Sequence, residues 1–117
     1  MLFDKTKKEK IISNARIAGS FWLRFKGLML ESSENFDYAL VFLLEKDSVL
    51  EASIHMLFMR FPIDVLWLDR NKKVVDKREA LKPWVLNASP KAPAKYIVEL
   101  PVGRANGINI GDKIVWD

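Results

Sequence analysis

A chain of 117 residues holds one hydrophobic core, because dividing it would leave two domains short of apolar surface. Half of the residues are apolar and 29% are charged, which excludes intrinsic disorder, and no apolar run reaches the ~18–20 residues of a bilayer span. The lack of cysteine excludes a disulfide framework, a thiolate metal site and a thiol nucleophile; the net charge of +4 gathers in part at Lys5, Lys7, Lys8 and Lys10.

In chain order, residues 1–6 and 11–18 flank this lysine-rich turn as the arms of a first hairpin, with Ile11, Ile12 and Ile17 favouring extended backbone. Charge at Asp4 and Lys5, with no apolar core ahead of a cleavage site, leads to the expectation of a cytoplasmic protein. Ser20 is a suitable N-cap, Phe21, Phe25 and Leu28 recur at helical spacing, and Gly27 can close the turn, so residues 20–26 are predicted to form one short helix.

A polar loop over 31–35 leads into the aromatic and β-branched run 38–44, predicted as a buried strand closed by Glu45-Lys46-Asp47. Residues 51–58 alternate, with Ile54, Met56 and Phe58 on one side and Ser53, His55 and Leu57 on the other, which predicts a further strand. Residues 63–68 and 73–79 form the clearest hairpin, joined at Asp69-Arg70-Asn71-Lys72. Pro83, Pro90 and Pro93 make 81–94 irregular; strands resume at 96–100 and 113–116, separated by turns at Gly103, Gly107 and Gly111. About seven or eight short, mostly antiparallel strands and one helix predict a mainly β fold, a small barrel or sandwich, in a single domain over residues 1–117.

Candidate chemistry is sparse. One histidine and no cysteine do not make a metal site, no G-x-S-x-G elbow accompanies His55, and the glycine-rich phosphate cradles are missing; no cofactor is implied. Asp64 and Glu99 stand inside strongly apolar strands, where desolvation raises a carboxyl pKa unless a cation answers it. Each is either an acid/base group or the partner of Arg24, Arg60 or Arg104. His55 either lines a pocket mouth or is a satisfied rim residue, and Arg60 presents its guanidinium to an anion or to Asp64. Lys82-Pro83-Trp84 offers a cation and a large ring for stacking, or a plug for one end of the fold.

Three blocks carry a resemblance over nearly the whole chain: Arg24-Phe25-Lys26-Gly27-Leu28-Met29, the segment from Ser53 to Asp69, and Val98-Glu99-Leu100-Pro101-Val102-Gly103 followed by Gly111-Asp112. Together they resemble domain of unknown function 192. Arg24, Gly27, Leu28, Met29, His55, Met56, Pro62, Asp64, Asp69, Glu99, Leu100, Gly103, Gly111 and Asp112 match its pattern, and His55 and Phe61 in place of the more usual Trp and Thr look like the archaeal cytoplasmic members. The resemblance implies a β-rich fold with a short helix and leaves activity open.

The expected function is a non-enzymatic binding domain whose pocket, lined by His55, Arg60, Asp64, Lys82, Trp84 and Glu99, takes a small polar or anionic ligand or a short peptide segment. Two alternatives stand beside it: a metal-independent hydrolase or isomerase using Asp64 or Glu99 as acid/base, and a nucleic-acid accessory domain acting through the N-terminal lysines. No membrane partner is expected.

Overall fold

The computed structural model describes residues 1–18, 33–56 and 59–117. Eight strands form two sheets: β1 (Leu2–Asp4), β2 (Glu9–Ile12), β3 (Ala15–Ala18), β4 (Ala39–Ser48), β5 (Ile63–Leu68), β6 (Val74–Leu81), β7 (Ala94–Pro101) and β8 (Ile114–Trp116). The small sheet has the order β2-β1-β8 and the large one β3-β4-β7-β5-β6. All pairings are antiparallel except β3 with β4. The mainly β expectation holds in its sandwich form. Among the described residues neither sheet closes on itself: β3 and β6 end the large sheet without pairing to each other, and only the start of β6 reaches the small sheet, through the isolated bridge of Lys73 to Lys113, which corrects the barrel alternative.

The first hairpin forms as expected, but its second arm divides. Residues 9–12 pair with β1, whereas 15–18 cross to the large sheet beside β4, with Asn14 accepting the Ala39 amide at 2.8 Å. One continuous strand could not serve both sheets. The charged stretch after residue 44 does not end β4, which runs on to Ser48 opposite Ala94 through an irregularity in register. Outer positions of an exposed strand end tolerate charge, so the apolar pattern marked the buried half alone.

Residues 63–68 form a strand at the predicted bounds and pair with β6. Asp69 closes the turn between them by accepting the amides of Asn71 and Lys73 at 2.8 and 3.1 Å. The strand expected over 51–58 is absent from its described part: after a turn, Ile54 makes an isolated bridge to Ala88, and Leu57 and Phe58 lie outside the described residues. Alternation persists there because Ile54 and Met56 both pack inward while His55 points away. The helix expected over 20–26 also lies outside the described residues; within them there is one 3-10 turn, Ser33–Asn35.

Period-2 alternation in β5 sends apolar side chains to both faces of the large sheet. Leu66 and Leu68 meet Val98, Leu100, Leu2, Ile12 and Ile114 between the two sheets. Ile63, Val65 and Trp67 meet Leu40, Phe42 and Ile97 on the outer face, which Met56, Met59, Phe61 and Ala88 cover from the irregular segments. Trp67 is fully buried and its indole N–H donates to the Ala52 carbonyl at 2.7 Å, tying the 49–53 turn to the core.

Candidate functional site

The two acids singled out from their apolar strands have opposite fates. Asp64 is completely buried on the face turned toward the small sheet. Its Oδ1 accepts the Ala80 amide at 2.8 Å, and its Oδ2 accepts those of Gly103 and Ala105, both at 2.9 Å. Three backbone N–H groups thus satisfy the buried carboxyl oxygens where a cation was expected. It pins two irregular places, the bend of β6 where Ala80 has φ 52° and the turn where Gly103 has φ 96°.

Glu99 occupies the other face. It stands opposite Leu40 of β4 and Val65 of β5, 8% exposed, with no hydrogen bond or ion pair to its carboxyl among the described residues. Burial among apolar neighbours pushes the Glu99 carboxyl up to about 8. At neutral pH it is mostly a neutral acid, able both to donate and to accept a hydrogen bond.

The other four expected site residues sit on the segments that cover this face. The Met56 amide donates to Val85 O and the Trp84 amide to Met56 O, both at 2.7 Å, and Ile54 and Ala88 exchange bonds of 2.9 and 2.8 Å. This ladder brings the 54–56 segment, with His55, against the 84–88 segment, with Trp84, although the two are far apart in the chain. His55, Arg60 and Lys82 are exposed and Trp84 is 56% exposed, above a layer formed by Met56, Met59 and Val85. Trp84 has φ 69°, left-handed backbone that a bulky side chain rarely adopts. The structure thus groups His55, Trp84 and Lys82 on the cover of the Glu99 face and places Asp64 on the far side of the sheet. Arg104, one partner expected for these acids, donates instead to Ile11 O at 3.3 Å.

A second acidic pair was not read as a pair from the sequence, where only Asp112 stood out, through the family resemblance. Asp4 and Asp112 are 2% and 6% exposed, and Lys7 serves both: its amide donates to Asp4 Oδ1 at 3.1 Å and its ammonium lies 3.3 Å from Asp112 Oδ2. Burial, together with the Asp112 carboxylate, holds the Asp4 carboxyl above its usual range. Burial acts the same way on Asp112, but hydrogen bonds from the Asn109 amide, Asp4 and Lys7 outweigh it and leave that carboxyl lowered. Of the four N-terminal lysines, Lys7 is also bonded to Gly107 O, and Lys10, which stays exposed, to Ser13 Oγ at 3.1 Å, so two of the four have partners within the chain.

Residues 3–116 match the model of domain of unknown function 192, described as an uncharacterized ACR. The chain belongs to this family. Similar DUF192 relatives include a UPF0127 protein of Thermococcus sibiricus, 47% identical over 119 residues, which spans all of this chain and 75% of that one. Another, from Pyrococcus furiosus, is 42% identical over 118 residues and covers 99% of this chain and 97% of its own. These relatives agree with the archaeal-type pattern read at His55 and Phe61. A solved structure of unknown function from Novosphingobium aromaticivorans, 22% identical, superposes with a TM-score of 0.77 over 87% of this chain and 74% of its own. That likeness establishes the fold alone. Among the described residues no helix is long and apolar enough to cross a membrane, and no three His, Cys, Asp or Glu side chains converge on a metal position.

Proposed function

We propose that this DUF192 chain is a binding domain that seats a small polar or anionic ligand, or a short peptide segment, against Glu99. One observation carries the reading: a nearly buried carboxyl with no partner of its own among the described residues, on a sheet face that irregular segments cover. An unanswered polar group in an apolar setting is costly to keep unless something completes it. His55, Arg60, Lys82 and Trp84 form the rim, and Asp64 positions the 103–105 turn that follows Glu99 on the chain. The test is thermal stabilisation by a broad metabolite and peptide panel. A ligand that raises Tm in the parent and fails with Glu99→Leu or Trp84→Ala supports the reading; no shift with any member of the panel overturns it.

The raised pKa of Glu99 favours one second reading, a metal-independent hydrolase or isomerase in which this group moves a proton near neutral pH. Glu99→Gln separates the two. It keeps a hydrogen-bonding amide and therefore ligand affinity, but it abolishes turnover if Glu99 is the acid/base.

A further inference from the structure

The register across the large sheet narrows the class of ligand, on the condition that Glu99 is the anchor just described. Arg16 of β3 pairs with Leu40 of β4, Leu40 with Glu99 of β7, Glu99 with Val65 of β5, and Val65 with Arg78 of β6. One row therefore crosses all five strands, with an arginine at each edge and the acid in the middle. At ~4.8 Å per strand, each arginine backbone lies about 10 Å from that of Glu99.

A site built to neutralise the acid would close one of these arginines onto it. Instead Leu40 and Val65 intervene, and neither guanidinium pairs with Glu99. Arg16 lies over the Tyr38 ring, 3.8 Å from its centroid, on the same outer face. Arg78 is exposed and holds no ion pair among the described residues.

Asp76, one row along on β6, accepts the amides of Lys77 and Lys91 at 2.8 and 3.0 Å. β4 and β5 present Leu40, Phe42, Val65 and Trp67, all uncharged, and the cover turns Met56 and Met59 inward with His55, Arg60 and Lys82 outside. The row thus offers a carboxyl O–H between two fixed positive charges, with apolar neighbours along the strands.

An amine would meet two arginines and no free carboxylate, while a neutral ligand would leave both arginines unused. An oxyanion satisfies all three groups. We infer that the row binds a carboxylate carried on an apolar body, with the Glu99 hydroxyl donating to it and Arg16 and Arg78 balancing its charge. The carboxylate can belong to a free small molecule or to the C-terminus of a peptide, and the chemistry is the same for both.

The experiment is isothermal titration calorimetry of the full chain with hexanoate, octanoate and phenylacetate, with their amides and the corresponding amines, and with an apolar tripeptide bearing a free or an amidated C-terminus. At pH 7 a carboxylate binds at least tenfold more tightly than its amide or amine. Octanoate against the free tripeptide tells which source is preferred.

Between pH 7 and 9.5 the affinity falls at least tenfold as Glu99 loses its donor proton, and at the higher pH binding takes up close to one proton. Glu99→Gln retains a donor, so it binds the carboxylate with a flat pH profile, whereas Glu99→Leu does not bind. Arg16→Gln and Arg78→Gln each weaken binding several-fold, and Arg78→Gln does so without lowering Tm. Binding of the amine or amide in preference to the carboxylate, abolished by Glu99→Leu, overturns the oxyanion assignment and leaves the Glu99 site standing. Binding that ignores every Glu99 variant, or none with any probe, overturns both.

Discussion

Asp64 pairs with Leu100 and Glu99 with Val65 in adjacent positions of the same two strands, so the two acids point to opposite faces of one sheet. They cannot share a proton or a substrate. What they share is the turn after β7, which Asp64 holds and Glu99 precedes.

The Asp64 clasp predicts a large loss of stability when its charge or shape is removed. Asp64→Asn must turn an amide N–H toward Ala80 or toward the Gly103 and Ala105 amides. The expected cost is roughly 2–4 kcal/mol, and Asp64→Ala costs more, because buried N–H groups are left without an acceptor. Urea unfolding measures it; a loss below about 0.5 kcal/mol would show that the three bonds contribute little.

Glu99 predicts an unusual pH dependence. Its folded pKa of about 8 lies above the ordinary 4.5, so between these values the folded chain holds a proton that the unfolded chain has released. Its contribution is therefore full below pH ~4.5, declines as pH rises, and is lost above about 8. Glu99→Gln should flatten this slope and stabilise the protein at pH 8–9 by roughly 3–5 kcal/mol. Chemical denaturation at pH 5, 7 and 9 decides it, and parallel curves for parent and variant would contradict the burial argument.

For the Asp4 and Asp112 pair the signs oppose. Asp4, raised, loses its contribution as pH rises; Asp112, lowered, loses its contribution as pH falls. Asp4→Asn supplies a permanent donor beside Asp112 and should raise Tm at pH 9. Asp112→Asn weakens the bonds from Asn109 and Lys7 and should lower Tm at neutral pH, at a cost of about 1–2 kcal/mol. The same change in Tm from both variants at pH 9 would contradict the opposed signs.

Trp67→Phe tests the core. It removes ring volume and strands the Ala52 carbonyl that the indole N–H satisfies. A loss of roughly 2–3 kcal/mol in urea is expected, with increased proteolysis in the 49–53 turn as the check on the hydrogen bond.

Much of this fold was legible because β5 and β7 are mostly apolar and β-branched around Asp64 and Glu99, β6 opens on Val74-Val75, and Asp69 and Gly103 give strong turn signals. Residues 51–58 misled because alternation reports which side chains face inward, not whether a neighbouring strand is present; Ile54 and Met56 alternate correctly on a single bridge. The division of residues 11–18 between two sheets depended on partners at residues 39–42 that local pattern cannot identify. At the site, Glu99 stood out as an acid in an apolar strand. Arg16 and Arg78 did not, since an edge-strand arginine reads as ordinary solvated charge until register sets it in line with the acid.

The arrangement of β1 has a consequence for how the chain is made. One edge of β1 is filled early by β2, a few residues away, but the other belongs to β8, more than a hundred positions downstream. A nascent chain therefore emerges with that edge open and stays a candidate for wrong pairing until residues 114–116 leave the ribosome. Closing the small sheet therefore waits on residues 114–116, in whatever order the strands of the large sheet form.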